Sequence, residues 1–156
     1  MRKLMLLAIP VAFSFVAAGA DPAGFHIWKT GDLKTIEKGM PAKMDAQKIT
    51  TESLAKGDNH AFSMSHREGP GIAEFHAKVA DIFVVQSGEA TLVVGGTMPG
   101  EKTTAPGEKR APMVQGGAKH KLVAGDIVSI PAATPHQLLL DPGAKFTYFV
   151  IKVDAK

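Results

Sequence analysis

Glu74-Phe75-His76-Ala77-Lys78-Val79-Ala80-Asp81-Ile82-Phe83-Val84-Val85-Gln86-Ser87-Gly88 holds the residues on which the fold turns. Its apolar positions lack a helical period, and Val, Ile and Phe crowd a short run that stops at Ser87-Gly88. Those are the marks of β-strands bounded by a turn. Alternate side chains of a strand share a face, so Glu74 sides with His76, and Asp81 sides with Phe83 and Val85. If the chain folds back at Ala77-Lys78, a carboxylate, an imidazole and a second carboxylate converge. Such a donor set suits a divalent cation.

The same texture extends in both directions. Strands are expected at residues 48–54, 60–67, 72–76, 81–86, 90–94, 111–115, 120–123, 126–130, 136–140 and 145–153. No helical pattern of ten or more residues separates them, which argues against βαβ crossovers and for an all-β antiparallel barrel or sandwich. Ser87-Gly88-Glu89, Gly116-Gly117 and Ala124-Gly125-Asp126 carry turn chemistry and are expected to close hairpins. Residues 95–110, rich in Gly, Pro, Thr and Lys and without periodicity, are expected to form a long surface loop. Upstream, residues 25–28 look strand-like. Residues 33–38 look helical, with Thr30 or Asp32 as the cap and Gly39 and Pro41 as the stop.

A second stretch, Gly125-Asp126-Ile127-Val128-Ser129-Ile130-Pro131-Ala132-Ala133-Thr134-Pro135-His136, ends on a histidine behind a turn bracketed by two prolines. Pro131 and Pro135 restrict the backbone on both sides, so His136 enters its strand in a fixed direction. Together the two stretches resemble the cupin superfamily. Its first motif places HxH, three or four residues, Glu, then six residues and Gly; Glu74-x-His76, four residues, Asp81, six residues and Gly88 fall into that register. Its second motif places Gly, five residues, PxG, two residues and His; Gly125, Pro131-Ala132-Ala133 and His136 have that spacing. Glu74 replaces the first histidine, Asp81 the glutamate, Ala133 the glycine and Leu140 the final asparagine.

The resemblance covers residues 61–153. It implies an antiparallel cupin-type β-barrel, or jelly roll, carrying a short N-terminal helix. It also implies one divalent metal ion, Mn, Fe, Zn or Ni, on Glu74, His76, Asp81 and His136. Cupins include metal-free members, and without a metal Glu74 and Asp81 would be solvated hairpin charges and His76 a half-exposed sheet residue.

The chain has 156 residues, 45% of them hydrophobic and 21% charged, with 16 glycines and 10 prolines. That fits one globular domain and excludes disordered, collagenous and coiled-coil classes. Residues 1–20 look like a secretory signal: Arg2 and Lys3, an apolar run, then Ala18-Gly19-Ala20 ahead of Asp21. Cleavage near Ala20 leaves a domain of residues 21–156, exported to a periplasm or medium. The apolar run is shorter than the roughly 20 residues that span a bilayer, so no stable membrane anchor is expected. With no cysteine there is neither a disulfide nor a thiol nucleophile.

Without Arg2 and Lys3 the balance is 16 basic to 15 acidic residues, and only Glu108-Lys109-Arg110 clusters charge, so nucleic acid is excluded as a partner. Residues 95–103 approach a phosphate-binding loop, but Glu101 breaks the pattern and Pro106-Gly107 forbids the helix it needs.

His60, Phe62, Met64 and His66 share a face of their strand. If that face points inward, His66 touches a bound ligand. Tyr148 and Lys152 share a face of the last strand and could reach a substrate. His26 and His120 are expected at the surface. The expected function is that of an exported metal-binding barrel that binds or transforms a small oxygenated molecule. The alternative is a non-catalytic or metal-free barrel, and pairing of sheet edges would make a homodimer.

Overall fold

A computed structural model describes residues 20–155; the expected signal segment lies outside them apart from Ala20. The organising element is a 16-residue strand, β4 (Val79–Val94), rich in the Val, Ile, Phe and Thr that suit a pleated surface. Its first half pairs antiparallel with β10 (Phe146–Asp154) on one edge and β8 (Ile127–Ile130) on the other. Its second half pairs with β9 (His136–Leu139) and β7 (Ala118–Val123).

One strand therefore belongs to two sheets. The first runs β1 (Ile49–Lys56), β2 (His60–Arg67), β10, β4, β8. The second runs β5 (Lys102–Ala105), β6 (Glu108–Ala111), β3 (Ala73–His76), β9, β4, β7. The expected antiparallel all-β architecture is present, curled into a barrel with one short helix.

Two glycines expected to close hairpins do something else. At Ser87-Gly88-Glu89 the strand continues through a β-bulge: Tyr148 pairs with Val85 but Thr147 pairs with Ser87. The additional residue shifts the phase, so the buried positions change from Asp81, Phe83 and Val85 to Ala90 and Leu92. Gly88 holds φ +77°, and a Cβ there would lie 1.8 Å from the Lys145 carbonyl oxygen. Ala124-Gly125 does turn, with Asp126 N–H donating to the Val123 carbonyl at 3.1 Å, but the turn joins β7 to β8 along one edge of β4 and closes no hairpin, since Gly125 N–H donates to the Val85 carbonyl at 3.0 Å and Val85 N–H to the Asp126 carbonyl at 2.9 Å. A glycine at positive φ serves a turn or a bulge equally well, and only the partner strand distinguishes them.

Phe83, Leu92, Ile130, Leu138, Phe146 and Tyr148 fill the interior between the sheets. A second cluster lies on the outer face of the second sheet, where Ala73 and Val93 pack against Met98, Ala111 and Val114. The expected surface loop at 95–110 is thus corrected: it contains the β5–β6 hairpin, turning at Pro106-Gly107, and helps cover an apolar sheet face. Residues 25–28 form no strand. Trp28 instead lies on Phe62, with ring centroids 5.3 Å apart, on the outer face of the first sheet. Helix α1 (Thr30–Gly39) begins earlier than expected, with Lys29 at the N-cap and no capping side chain, so Thr30 and Asp32 sit inside its first turn. No helix among the described residues is long and apolar enough to cross a membrane.

Gly88→Ala adds a backbone clash to the cost of holding a side chain at positive φ, which alone is about 1–2 kcal/mol. Gly143→Ala, at φ +80° with open space around it, should incur the conformational cost only. Urea unfolding should show G88A clearly less stable than G143A. Equal losses would contradict the close approach of the Lys145 carbonyl to Gly88.

Candidate metal centre

Sheet register builds the site. Glu74 on β3 stands directly across from His136 on β9 and from Arg110 on β6, while His76 stands across from Glu108. The chain then turns at Ala77-Lys78 into the first sheet, where Asp81 stands across from Lys152 of β10. Directly opposed side chains lie about 5 Å apart at Cβ, so these neighbours are fixed by backbone pairing. The turn before His136 is tied to the same place, since Ala133 N–H donates to the His76 carbonyl at 2.7 Å. Ala133, at the motif's glycine position, has φ +60°.

Of the four residues singled out as ligands, Glu74, His76 and His136 form one group whose donor atoms could share an ion, while Asp81 lies beside both rings but outside that group. His76 Nε2 lies 3.5 Å from Glu74 Oε2 and 3.4 Å from Asp81 Oδ2, and His136 Nε2 lies 3.4 Å from the same Asp81 oxygen. Donor atoms of Glu74, His76 and His136 all lie within 4.8 Å of one another. Four donors at about 2.1 Å from a tetrahedral ion stand roughly 3.4 Å apart, so these separations fit a first-row divalent metal. Both rings are held from behind: His76 Nδ1 bonds Glu108, and His136 Nδ1–H donates to the Thr134 carbonyl at 3.0 Å. Each Nε2 is thereby turned inward, the arrangement metal-binding imidazoles use.

Electrostatics follow from the burial of His76, Asp81 and His136. Burial opposes the charge on Glu74, yet its hydrogen bond to His76 and the nearby Arg110 hold its carboxyl down at about 2. Burial also opposes an imidazolium at His76, and the Asp81 and Glu74 carboxylates outweigh it, raising the ring to about 9. Burial disfavours charge on Asp81 too, but His136, His76 and Lys152 hold it well below the usual carboxylate range.

Lys152 Nζ lies 2.7 Å from Asp81 Oδ1 and 3.1 Å from His76 Nε2. Arg110 lies against Glu74 at 3.6 Å and Glu108 at 3.2 Å, and Arg67 lies 3.8 Å from Glu74. Three carboxylates, Glu74, Asp81 and Glu108, thus face three permanent cations.

His66 is not among them. Its ring lies on the outer face of the first sheet, with Nδ1 2.9 Å from Thr147 Oγ1. The inward face of β2 is Ser63, Ser65 and Arg67, because Ser65 pairs with Tyr148 and Tyr148 points into the core. A strand whose two faces both hold buried residues gives no clue to which one is inside. These residues join Phe83, Leu138 and Val150 around a cavity of about 150 Å³ beside the metal-ligand cluster. Arg67 Nε donates to the Tyr148 hydroxyl at 3.2 Å within it. The residues missed in the sequence are Glu108, Arg110 and Arg67. The i, i+2 spacing of Glu108 and Arg110 was the available signal, once 108–111 is read as a strand.

The fold is that of the cupins. A cupin domain of Cnp3 from Schizosaccharomyces pombe superposes with TM-score 0.51 at 9% identity, over 69% of this chain and 66% of that one. A protein from Klebsiella pneumoniae subsp. pneumoniae with a double-stranded β-helix domain superposes at 0.53, with 16% identity over 72% of this chain and 82% of that one. KdgF from Halomonas sp. superposes at 0.51, with 16% identity over 72% and 87%. No family model and no curated protein matches the sequence.

A folded pKa of about 9 at His76 means that the native state holds this proton more tightly than the unfolded chain does, whose value lies near 6.5. That stabilisation is complete below pH 6.5 and is lost as pH rises through 9. With EDTA present, urea unfolding should show stability falling from pH 6.5 to 9.5, and His76→Gln should flatten the fall. A wild-type profile that is level across this window would contradict the charge network.

Proposed function

We propose that this chain is an exported cupin-fold protein that binds one divalent metal ion through Glu74, His76, His136 and Asp81. The ion's neighbour is a small oxygenated molecule in the cavity. One observation carries the proposal: two imidazole Nε2 atoms and two carboxylates share a buried centre, and each ring is anchored through its other nitrogen. Two histidines with two carboxylates suit Mn, Fe or Zn, while hard oxygen-only cations would not call for imidazole.

The bound metal would supply a Lewis acid to an oxygen of the ligand. The protein's own groups do the rest. Glu108 and the Thr134 carbonyl orient the two rings. Ser63, Ser65 and Arg67 offer hydroxyl and guanidinium donors to oxygen atoms of the ligand, while Phe83, Leu138 and Val150 supply apolar wall. A cavity of about 150 Å³ takes a guest of roughly benzene size, which limits the enclosed part of the ligand to a handful of heavy atoms. Export rests on the leader at residues 1–20 and its small-residue cleavage site. A metal-free binding barrel is the second reading, favoured by Lys152, which already supplies Asp81 with a cation.

Metal content by mass spectrometry decides between them, using the chain from Asp21 without a histidine tag after incubation with Mn, Fe, Ni and Zn salts. Near-stoichiometric metal is expected in the wild type and none in His76→Ala or His136→Ala. Glu108→Ala should bind 10–100-fold more weakly, because the His76 ring loses its anchor. Absence of metal from every wild-type sample would establish the metal-free reading.

A further inference from the structure

Asp81 is 2% exposed, and a carboxylate so buried needs a cation close by. Among the described residues the ammonium in contact with it is that of Lys152, which touches both Asp81 oxygens, at 2.7 and 3.1 Å, and His76 Nε2. Lys152 and Asp81 are directly paired between β10 and β4, so the register keeps the Asp81 carboxylate within reach of the Lys152 ammonium. The ammonium thus uses two of the four donor groups that a metal would need. Arg67 and Arg110 stand 3.8 and 3.6 Å from Glu74, too far for the direct hydrogen bond that Lys152 makes with Asp81.

We propose that Lys152 is a built-in competitor for the metal, its ammonium holding the cation position at Asp81 and His76 until an incoming divalent ion displaces it. The inference rests on the metal-binding reading above. Charge supports the exchange: three carboxylates already face three permanent cations, so a divalent ion added with Lys152 still inside would leave the buried cluster strongly positive. Geometry permits it, because the Lys152 side chain is 41% exposed and its flexible four-carbon stem can carry the ammonium to solvent while the strand stays paired. Metal affinity in this chain is then the difference between two cations competing for the same carboxylate.

The test measures affinity for Zn and Mn by competition with a chromophoric chelator, in wild type, Lys152→Met and Lys152→Gln. Both variants should bind at least tenfold more tightly. Adding His136→Ala to either should abolish the gain, which places it at this site. A second readout is thermal unfolding. In EDTA the variants should melt below wild type, because Asp81 has lost its partner, and they should gain more on adding Zn. Lys152→Gln keeps a hydrogen-bond donor for Asp81 should Lys152→Met fold poorly.

Equal affinities in wild type and variants would overturn the inference and leave the metal site standing, as would weaker binding by the variants. Binding by the variants alone would support it in its strongest form, with Lys152 excluding the metal altogether. No binding by any of the three would refute the metal reading and the inference with it.

Discussion

The bulge at Gln86, between Val85 and Ser87, is the constraint on which the barrel depends. A regular strand presents one set of alternate residues to the core along its whole length, so it can serve only one sheet face. In β4 the extra residue changes which set is inside, from Asp81, Phe83 and Val85 to Ala90 and Leu92, just where the strand leaves β10 and β8 for β9 and β7. Without that change, the second half would point Thr91 and Val93 inward and strip the second sheet of its core. Gly88 is needed because the Lys145 carbonyl occupies the space a side chain would take. The polar end of the barrel depends on the same phase, since it sets Asp81 facing Lys152 and the β3 residues.

Much of this was legible in the sequence because short-range pattern decides it. Strand positions such as 60–67 and 136–140 follow from β-rich runs between breakers, and the i, i+2 relation of Glu74 and His76 holds wherever the strand lies. The four converging residues follow from two local motifs whose spacing matches a known fold. Less local features did not follow. Gly88 carries the same chemistry inside a continuous strand as in a hairpin turn, and the choice belongs to its partner β10, far along the chain. Which way His66 faces did not follow either, because the interior face of β2 is set by its pairing with β10 and both faces of that strand contain buried residues. Glu108 and Arg110 were hidden in a polar segment whose hairpin is held by its pairing to β3, not by any apolar period of its own.

Glu74 explains why so many cations surround the site. A histidine at that position would be a neutral ligand; a glutamate adds a negative charge to a cluster that already contains Asp81 and Glu108. Uncompensated buried charge costs several kcal/mol, so the substitution is tolerable only with new partners. Arg110, paired across the sheet, and Arg67, reaching from β2, provide them for Glu74, leaving Lys152 to serve Asp81. Glu74 and these basic residues are therefore one unit in physical terms: the charge of the ligand set is matched by the charge of the wall around it.

That coupling bears on what the centre can hold. With a neutral first ligand, a metal's charge would meet two carboxylates. Here it meets three, with two arginines that cannot leave and one lysine that can. Arg67, buried and bonded to the Tyr148 hydroxyl, and Arg110, bonded to Glu108, set a fixed background, whereas a half-exposed lysine on a flexible stem is an exchangeable charge. Without a metal the three carboxylates are already matched by Arg67, Arg110 and Lys152, with the His76 proton besides, so a metal adds charge that is lowered when the exchangeable ammonium moves away. A ligand carrying its own negative charge would ease that step, since the displaced ammonium would find a new partner at the mouth of the same cavity, which Lys152 also lines. With an ion and a small molecule bound as proposed, each would be favoured when the other draws the Lys152 ammonium away from Asp81.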